Sequence, residues 1–543
     1  MRFEQQISAC FRAATAIGLC GYLFAFVGAV SAFGQQPALQ GPPPQQVNTG
    51  AASQQTGNVL KLSQDDAVKM GLENNLGLTA EQLTPQIQTY ALAGAKAAYA
   101  PNLLSSFAKT SNTNPPGNFL TGGGNILTDE GFRTTVGFQQ LVPWFGGRYT
   151  VGWDGSRGTT SDESSRFNPR LDSNLDFQFV QPLLRNFWID STRQNILINE
   201  TRQDIADLQL RQTVTQTTRN VRLAYFNLVN AIARLAVDQQ SLDLARQSLT
   251  NNKRKVEVGT LAPIDIVEAE AEVARTEESV IVSEGAIRAA EDILRTLIMK
   301  PNQADFWTAR LEPTEEPTVA AQPIDVDGAV TAALANRVDL AQLRKQIEET
   351  DISTKFLKNQ KLPAIDLTAN YGLIGTAGTQ REFDFQSGIL PPPILRESQR
   401  SFSDALRDVF GNEFKSWSVF LNFSYPLGTS SADAGLAQAR LQRQQQNTNL
   451  QELEMQVVAA VRDAARQVST TLQRVASTRK ARELAEQRLQ AENKRLAVGL
   501  SDTFRSVQAQ RDLSAARLSE LNAVISYNRA LIDFEAVQLV PVR

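Results

Sequence analysis

Two stretches of this chain contain neither glycine nor proline over more than sixty residues, and this feature constrains the fold most. They run from Leu183 to Val258 and from Leu436 to Val498. A helix of about 70 residues is about 100 Å long, which suits a coiled coil or bundle better than a compact core. Each stretch ends at a Val-Gly pair, and a second helical segment follows, from Ile264 to Met299 and from Ser501 to Leu539. The sequence therefore predicts two antiparallel helical hairpins.

The two hairpins belong to an internal repeat. Val258-Gly259 and Val498-Gly499 lie 240 residues apart, and Val221-Arg222 matches Val461-Arg462 at the same spacing. The beginnings of the halves also agree, because Ala67-Val68 and Ala329-Val330 each lie 34 residues before a proline. We predict a first repeat over 59–322, with strands at about 102–181 and a hairpin over 183–300. The second repeat is predicted over 323–543, with strands at about 363–426 and a hairpin over 430–539.

Segments between the helices alternate apolar and polar residues with a period of two. The segments are Leu171–Gln181, Ile365–Leu373, Trp417–Tyr425 and the shorter Tyr149–Trp153, with Phe420 as the one exception on the polar face of the third. Extra β-like sequence over Phe132–Asp154 is expected to add a hairpin. This alternation is typical of strands in an outer-membrane β-barrel, and also of a half-exposed sheet in a soluble sandwich. Aromatic residues near the strand ends fit an interfacial girdle or a core: Trp144, Phe145, Phe187 and Trp188.

The number of strands sets the oligomeric state if the sheet crosses a membrane. Four to six strands per chain are predicted, whereas about eight are needed to close a barrel. An open sheet edge is not tolerated in lipid. Several chains are therefore expected to share one barrel.

The first 34 residues are predicted to be a secretory signal, with a transmembrane anchor as the alternative. Arg2 and Arg12 precede an apolar stretch that begins at Ala13. The stretch ends at Ala32-Phe33-Gly34, which places small residues at the positions that a signal peptidase needs. Cys10 and Cys20 are poorly placed for lipidation. Residues 35–58, rich in Gln, Pro and Gly, are predicted to be a disordered linker.

The residue types that are missing exclude most catalytic chemistry. The chain has no histidine, and its only two cysteines lie in the first twenty residues. Zinc sites, thiol nucleophiles and Ser-His-Asp triads are thereby excluded from the rest. The 54 basic and 57 acidic residues nearly balance, which argues against nucleic-acid binding. We expect no enzymatic activity, no cofactor and no metal.

Several motifs, repeated in order, resemble the TolC family of outer-membrane factors. Ala224–Ile232 resembles the family signature on its first long helix, and the two Val-Gly turns resemble its hairpin tips. Gln181-Pro182-Leu183-Leu184 and Tyr425-Pro426-Leu427-Gly428 resemble its strand-to-helix transitions. Proline there would end strand pairing and suit the first turn of a helix. The resemblance covers roughly residues 60 to 540.

The resemblance implies a mainly α fold with a membrane β-barrel part. Three protomers would form one twelve-stranded barrel in outer-membrane lipid, continued into the periplasm by an α-helical tunnel. The implied function is the passive exit duct of a tripartite efflux pump or a type I secretion system, driven by an inner-membrane transporter. A periplasmic adaptor would dock on the hairpin tips, which are Val258, Gly259, Thr260, Leu261, Val498, Gly499, Leu500 and Ser501.

This chain departs from the family at the positions of the periplasmic gate. The family carries acidic residues six and nine positions after the second tip glycine, where this chain has Arg505 and Gln508. The first repeat instead has Asp265 and Glu268 at those positions, so all four are candidate gate residues. Asp265 also suits the first turn of a helix, where the dipole favours an anion.

Two alternatives and one loop remain open from the sequence. A periplasmic adaptor would also show helical hairpins, but around a single split β region, and a structural coiled-coil protein would lack the matched strands. The segment Thr376–Lys415, which contains Pro391-Pro392-Pro393, is expected to be a disordered loop, and the alternatives are a loop that constricts the mouth of the barrel or one that binds a partner.

Overall fold

The protein is described by a computed structural model. It describes residues 59–115, 126–302, 306–315, 319, 323–389 and 392–538. The predicted signal and linker, residues 1–58, lie outside the described residues, as do 539–543.

The long helices form two antiparallel hairpins, as the sequence predicts. α4 and α9 each contain 67 residues, and α5 and α10 return alongside them. The helices are α1 (Gln64–Asn74), α2 (Leu76–Glu81), α3 (Leu83–Lys96), α4 (Ser191–Glu257), α5 (Ile264–Ile298), α6 (Val326–Asn336), α7 (Val338–Gln360), α8 (Phe402–Phe410), α9 (Ser431–Ala497) and α10 (Thr503–Gln538). Among the described helices, none has an apolar run long enough to cross a membrane.

The first long helix begins later than predicted, at Ser191 instead of Leu183. Asp190 is its N-cap and accepts a hydrogen bond from the Arg193 backbone N–H at 2.8 Å. Asn186 has φ of +67°, which an α-helix excludes. The stretch without glycine or proline is therefore longer than the helix and includes an irregular loop. Asn186 can stand in for glycine in this loop because asparagine also adopts the left-handed region.

The repeat is visible in the packing. Val221 and Val461 are both fully buried, as are the matched Leu78 and Leu340 at the starts of the halves. Ala67 belongs to the core cluster around Val221, and Ala329 to the cluster around Val461. Equivalent positions of the two halves thus carry equivalent packing roles.

A second group of elements forms the sheets. β1 and β6 pair in parallel, and the remaining strands form one antiparallel sheet in the order β2-β3-β4-β5-β7. β7 then pairs with β9 through Ala364–Leu373 and with β8 farther along. The strands are β1 (Val59–Leu62), β2 (Asn102–Asn114), β3 (Leu127–Leu141), β4 (Arg148–Thr160), β5 (Phe167–Pro182), β6 (Arg310–Pro313), β7 (Ala364–Phe383), β8 (Ile394–Arg400) and β9 (Lys415–Ser424).

The expectation of a disordered loop over Thr376–Lys415 is wrong for its described residues. β7 continues to Phe383, and β8 and α8 follow. α8 buries Ala405 and Val409 against the sheet, so closely that a Cβ on Gly375 would lie 2.0 Å from the Ala405 carbonyl oxygen. A short amphipathic helix can order a loop when a glycine lets it approach the sheet this closely.

Candidate functional site

The two hairpin tips have the same backbone geometry. Each long helix ends at a glycine with φ of +76°, Gly259 in the first repeat and Gly499 in the second. At the first tip the Gly259 N–H donates to the Val256 carbonyl (3.0 Å) and the Thr260 N–H to the Lys255 carbonyl (2.8 Å). The second tip repeats this pair of bonds, with the Leu500 N–H donating to the Arg495 carbonyl at 2.9 Å. Both tips are Schellman caps, which favour glycine at the left-handed position.

Alanine at either tip is expected to cost about 1 kcal/mol of stability. No atom lies within 4 Å of a Cβ built on Gly259 or Gly499, so the cost comes from the left-handed backbone alone. Gly285, in the middle of α5, is the matched control, because it also has free space but an ordinary helical backbone. Gly285→Ala should leave stability unchanged or raise it, since alanine favours a helix interior. Thermal unfolding followed by circular dichroism in detergent measures the difference, and equal effects at all three sites would contradict the prediction.

Large apolar side chains surround both tips without being covered. Val258 is 73 % exposed and Leu500 is 77 % exposed. The first turns of the returning helices continue this surface with Ile264 and Phe504, whose exposure the sequence pattern does not reveal. Clustered apolar exposure at one end of a helical bundle is typical of a protein interaction site. We call these four residues the tip surface.

The candidate gate residues lie on the first two turns of the helix that follows each tip. The Asp265 carboxylate accepts the Ala262 backbone N–H at 3.2 Å, which gives it a local capping role. Arg505 is exposed and lies 3.6 Å from Asp502, the carboxylate that accepts the Arg505 backbone N–H. Gln508 donates to Asp512 at 2.9 Å, and Glu268 is half-buried. The four residues therefore separate into two pairs on two different hairpins.

Ion pairs and hydrogen bonds tie the first hairpin to the second. Far from the tips, Arg219 donates to Asp533 and Arg222 to Glu535. The tie nearest the tips in the described part of the chain joins Arg511 of α10 to Glu272 of α5, with 2.8 Å between Nε and Oε2. Glu272 is 4 % exposed and also accepts from Arg275 at 2.7 Å. The sequence gives no sign of this pair, because charged residues on long helices usually face water.

The strand-to-helix transition at Pro182 is held by an arginine. Pro182 is the last residue of β5, so the expectation of proline in the first helical turn is wrong here. The loop that follows is tied by Arg193, whose guanidinium donates to the carbonyls of Asn186, Phe187 and Trp188 at 2.7–3.0 Å. Its Nε donates to Asp190 at 2.8 Å. A guanidinium can satisfy this many acceptors because it presents five N–H donors in a fixed planar geometry.

The transition at Pro426 is held by a capping box and an ion pair. Pro426 also lies before the helix, which begins at Ser431 with Ser430 and Asp433 as a capping box. The Lys361 ammonium lies 2.7 Å from the Asp433 carboxylate. Hydrogen bonds from Lys361 and then Ser430 lower the pKa of Asp433 to about 2. The carboxylate is therefore charged at any pH above about 4 and anchors α7 to the start of α9.

Two neighbouring cross-strand rows show how the large sheet separates apolar from polar residues. The strand registers align one row of apolar side chains on one face: Leu103, Phe138, Val151, Phe177, Tyr371 and Trp417. The next row, on the opposite face, is polar throughout: Asn102, Gln139, Thr150, Gln178, Asn370 and Ser418. Gln178 donates to Asn370 at 3.0 Å, and Asn370 to Ser418 at 3.2 Å. The polar face suits water and the apolar face suits lipid.

Aromatic residues mark the end of the sheet that joins the helices. Phe145 stacks on Phe187 with 4.7 Å between ring centroids, and Trp188 packs edge-on against Phe187. Trp144 and Trp188 are 72 % and 74 % exposed, so they are not core residues of the protomer. Exposed aromatic rings at a strand end suit a membrane interface.

α8 leaves the polar face open. Its Phe402 contacts Trp153 edge-on, with 6.3 Å between ring centroids, and Trp153 shares the apolar face with Leu175 and Leu373. The helix lies at the end of the sheet opposite the long helices. It therefore covers part of the apolar face and does not block the polar one.

No group of carboxylates suited to hold a metal ion is found in the described part of the chain. The functional features are instead surfaces: the tip surface, the ties between hairpins and the two-faced sheet. Such features suit a conduit.

Comparison with known proteins identifies the family. The model for the family described as outer membrane efflux protein matches residues 141–298 and 329–537. A comparison with curated proteins gives no match.

Solved structures share the fold at low identity. The CmeC outer membrane channel of Campylobacter jejuni is 13 % identical, with a TM-score of 0.61, over 88 % of this chain and 85 % of that one. VceC of Vibrio cholerae is 13 % identical, with a TM-score of 0.59, over 88 % and 95 %. The open-state MtrE channel of Neisseria gonorrhoeae is 14 % identical, with a TM-score of 0.58, over 88 % of each chain. Because the family model covers more than half of the sequence, this chain belongs to the outer membrane efflux protein family, the TolC-like outer-membrane channels.

Proposed function

We propose that this outer-membrane efflux channel is the exit duct of a tripartite pump, assembled as a homotrimer. Family membership gives the channel function, the trimeric habit of the family and the location in the outer membrane with an extension into the periplasm. It also favours a channel without enzymatic activity over the adaptor and coiled-coil alternatives. The proposal adds the partners, namely a periplasmic adaptor at the tips and an inner-membrane transporter that supplies the energy.

The tip surface carries this proposal. Four large apolar side chains are exposed at the turns of two equivalent hairpins, and burying them would be favourable by roughly 25 cal/mol per Å². A helical hairpin of a second protein can bury them by packing between the tips. The capped glycines keep both turns tight, so that the docking geometry is the same in both repeats.

Charged substitutions in the tip surface test the docking. Val258→Asp together with Leu500→Asp should weaken binding of the periplasmic adaptor from the same cell at least about tenfold, since a few buried apolar residues dominate such interfaces. Val282→Asp is the matched control, because Val282 is 58 % exposed on the same hairpin away from the tips. Biolayer interferometry with purified channel and adaptor measures both. Unchanged binding by the double variant would refute adaptor docking at the tips.

We propose further that Arg505 and Gln508, not Asp265 and Glu268, line the periplasmic constriction. They occupy the positions at which the resemblance implies the gate, and the Asp265 carboxylate already caps its own turn. Rings of charge set ion preference where they line a constriction. A ring of three arginines would then reduce the preference of the channel for cations.

Arg505→Glu is therefore expected to raise the cation-to-anion permeability ratio about fivefold. Replacing three positive by three negative charges stabilises a cation in the constriction on the order of 1 kcal/mol after screening by salt. Reversal potentials in a planar bilayer under a KCl gradient give the ratio. Asp265→Asn serves as the comparison and should leave the ratio unchanged. The reverse pattern would place the first repeat at the constriction.

A further inference from the structure

The large sheet holds more long strands than the resemblance implies. A twelve-stranded trimer needs four strands from each protomer, but the described residues of this chain form six that contain 10 to 20 residues: β2, β3, β4, β5, β7 and β9. The additional pair is the β3–β4 hairpin. We propose that three copies of this chain close one eighteen-stranded barrel, in which β2 of one protomer pairs with β9 of the next. The inference rests on the trimeric duct proposed above.

The β3–β4 hairpin is an integral part of the sheet. β2 pairs with β3 over all of its 13 residues, β3 with β4 over 13 positions, and β4 with β5 over 11. Both cross-strand rows also run through the hairpin without a break, with Phe138 and Val151 in the apolar row and Gln139 and Thr150 in the polar row. A hairpin folded away from the barrel would not need to continue the apolar and polar faces of its neighbours.

β2 and β9 are the open edges in the part of the sheet nearest the long helices, and β8 takes the place of β9 beside β7 farther from them. In the described part of the chain β2 pairs only with β3, and β9 only with β7. Every residue of β2 is exposed, and so is every residue of β9 except Ser418. Unpaired backbone N–H and C=O groups at a sheet edge are not tolerated in the apolar part of a membrane. The edges therefore need partners, and a second copy of this chain offers them.

Direction and faces match between the two edges. β2 runs away from the helical end of the sheet, whereas β9 runs toward it into α9, so their contact would be antiparallel like every other pair in this sheet. Six strands are an even number, so closure creates no parallel pair. Leu103 on β2 and Trp417 on β9 end the same apolar row, and Asn102 and Ser418 end the same polar row. The apolar face would remain continuous across the protomer boundary.

The proposed barrel has a consequence for transport. Barrel diameter grows roughly linearly with strand number, and barrels of 16 to 18 strands enclose an aqueous channel. Eighteen strands would give a lumen about 1.5 times as wide as twelve. The barrel would then exert little selection by size, and the periplasmic tips would be the narrowest part of the duct.

Cysteine cross-linking tests the strand order. The only native cysteines are Cys10 and Cys20, and both are replaced by alanine in the background. Single cysteines at Leu103, Ser105 or Phe107 are combined in one chain with single cysteines at Trp417, Val419, Leu421 or Phe423. The scan covers same-face registers because the stagger between protomers is not fixed by one chain. At least one combination should give disulfide-linked dimers and trimers on a denaturing gel.

A second pair separates the possible outcomes. In the eighteen-stranded arrangement β2 and β5 are three strand spacings apart, about 14 Å, so Leu103→Cys with Phe177→Cys should not cross-link within a protomer. In a twelve-stranded arrangement β2 would lie beside β5, and cross-links between these two strands would form. That result, or the absence of every β2–β9 product, would overturn the proposal. The mass of the detergent-purified particle is measured in parallel. A trimer with β2–β5 cross-links refutes only the strand count, a trimer without β2–β9 products refutes the pairing of these edges, and a monomer refutes the trimeric duct as well.

Discussion

Replacing Arg193 with alanine is expected to lower the free energy of unfolding by about 2–4 kcal/mol. The guanidinium donates to three consecutive backbone carbonyls and to Asp190, and its side chain is only 19 % exposed. Removing it leaves these acceptors without their donor in a partly buried loop. Breaking a buried ion pair usually costs about 3–5 kcal/mol, and the remaining exposure reduces this value.

Two further variants isolate the role of the guanidinium. Arg193→Lys should recover only part of the loss, because an ammonium lacks the planar fork that reaches several carbonyls at once. Arg185→Ala removes an arginine from the same loop for which the described residues show no hydrogen bond or ion pair, and it should change stability by less than about 0.5 kcal/mol. Urea unfolding in detergent, followed by tryptophan fluorescence, gives all three values. Equal losses for Arg193→Ala and Arg185→Ala would show that Arg193 does not hold the transition.

Features encoded by local chemistry could be predicted from the sequence. The tips at Gly259 and Gly499 depend on the residue that best adopts a left-handed cap, and the structure confirms both turns. Trp417 to Tyr425 alternates strictly enough to identify β9 within two residues at each end. The predicted internal repeat is also confirmed, because residues matched by spacing, such as Val221 and Val461, are both buried.

Features that depend on distant partners could not be predicted. Glu272 and Arg511 are 239 residues apart, and each looks like an ordinary solvent-facing charge on a long helix. Arg193 gives no sequence signal either, because its partners are backbone carbonyls. α8 was missed for a related reason. Its buried apolar side chains, Ala405 and Val409, are few, and its docking depends on the space left by Gly375 on β7.

The sequence also misplaced one boundary for a physical reason. A stretch without glycine or proline permits a helix but does not start one. The start at Ser191 is fixed by the Asp190 cap and by Arg193, which hold residues 183–190 in an irregular path. Such a boundary is decided by capping groups, not by helix propensity.

Replacing Arg511 with alanine is expected to shift the channel toward its conducting state. The Arg511–Glu272 pair is the tie between the two hairpins that lies nearest the tips in the described residues, about 12 residues beyond each tip glycine. Without this pair, less free energy is needed to separate the two tips of a protomer. Arg511 is one-third exposed, and Glu272 retains its ion pair with Arg275. We therefore expect the free-energy difference between closed and open channels to change by about 1–3 kcal/mol, which corresponds to about a 5- to 150-fold change in the ratio of open to closed channels.

The matched control for this change is Arg488→Ala. Arg488 pairs with Asp512 at 2.8 Å, one residue from Arg511, but this pair lies within the second hairpin and Arg488 is 62 % exposed. An exposed pair contributes at most about 1 kcal/mol and does not join the hairpins, so single-channel recordings should show wild-type open probability. Glu272→Gln alone should increase opening, and adding it to Arg511→Ala should have little further effect because both variants remove the same tie. Additive effects, or equal opening by Arg488→Ala, would mean that the tips are held closed by contacts between protomers and not by the tie within each one.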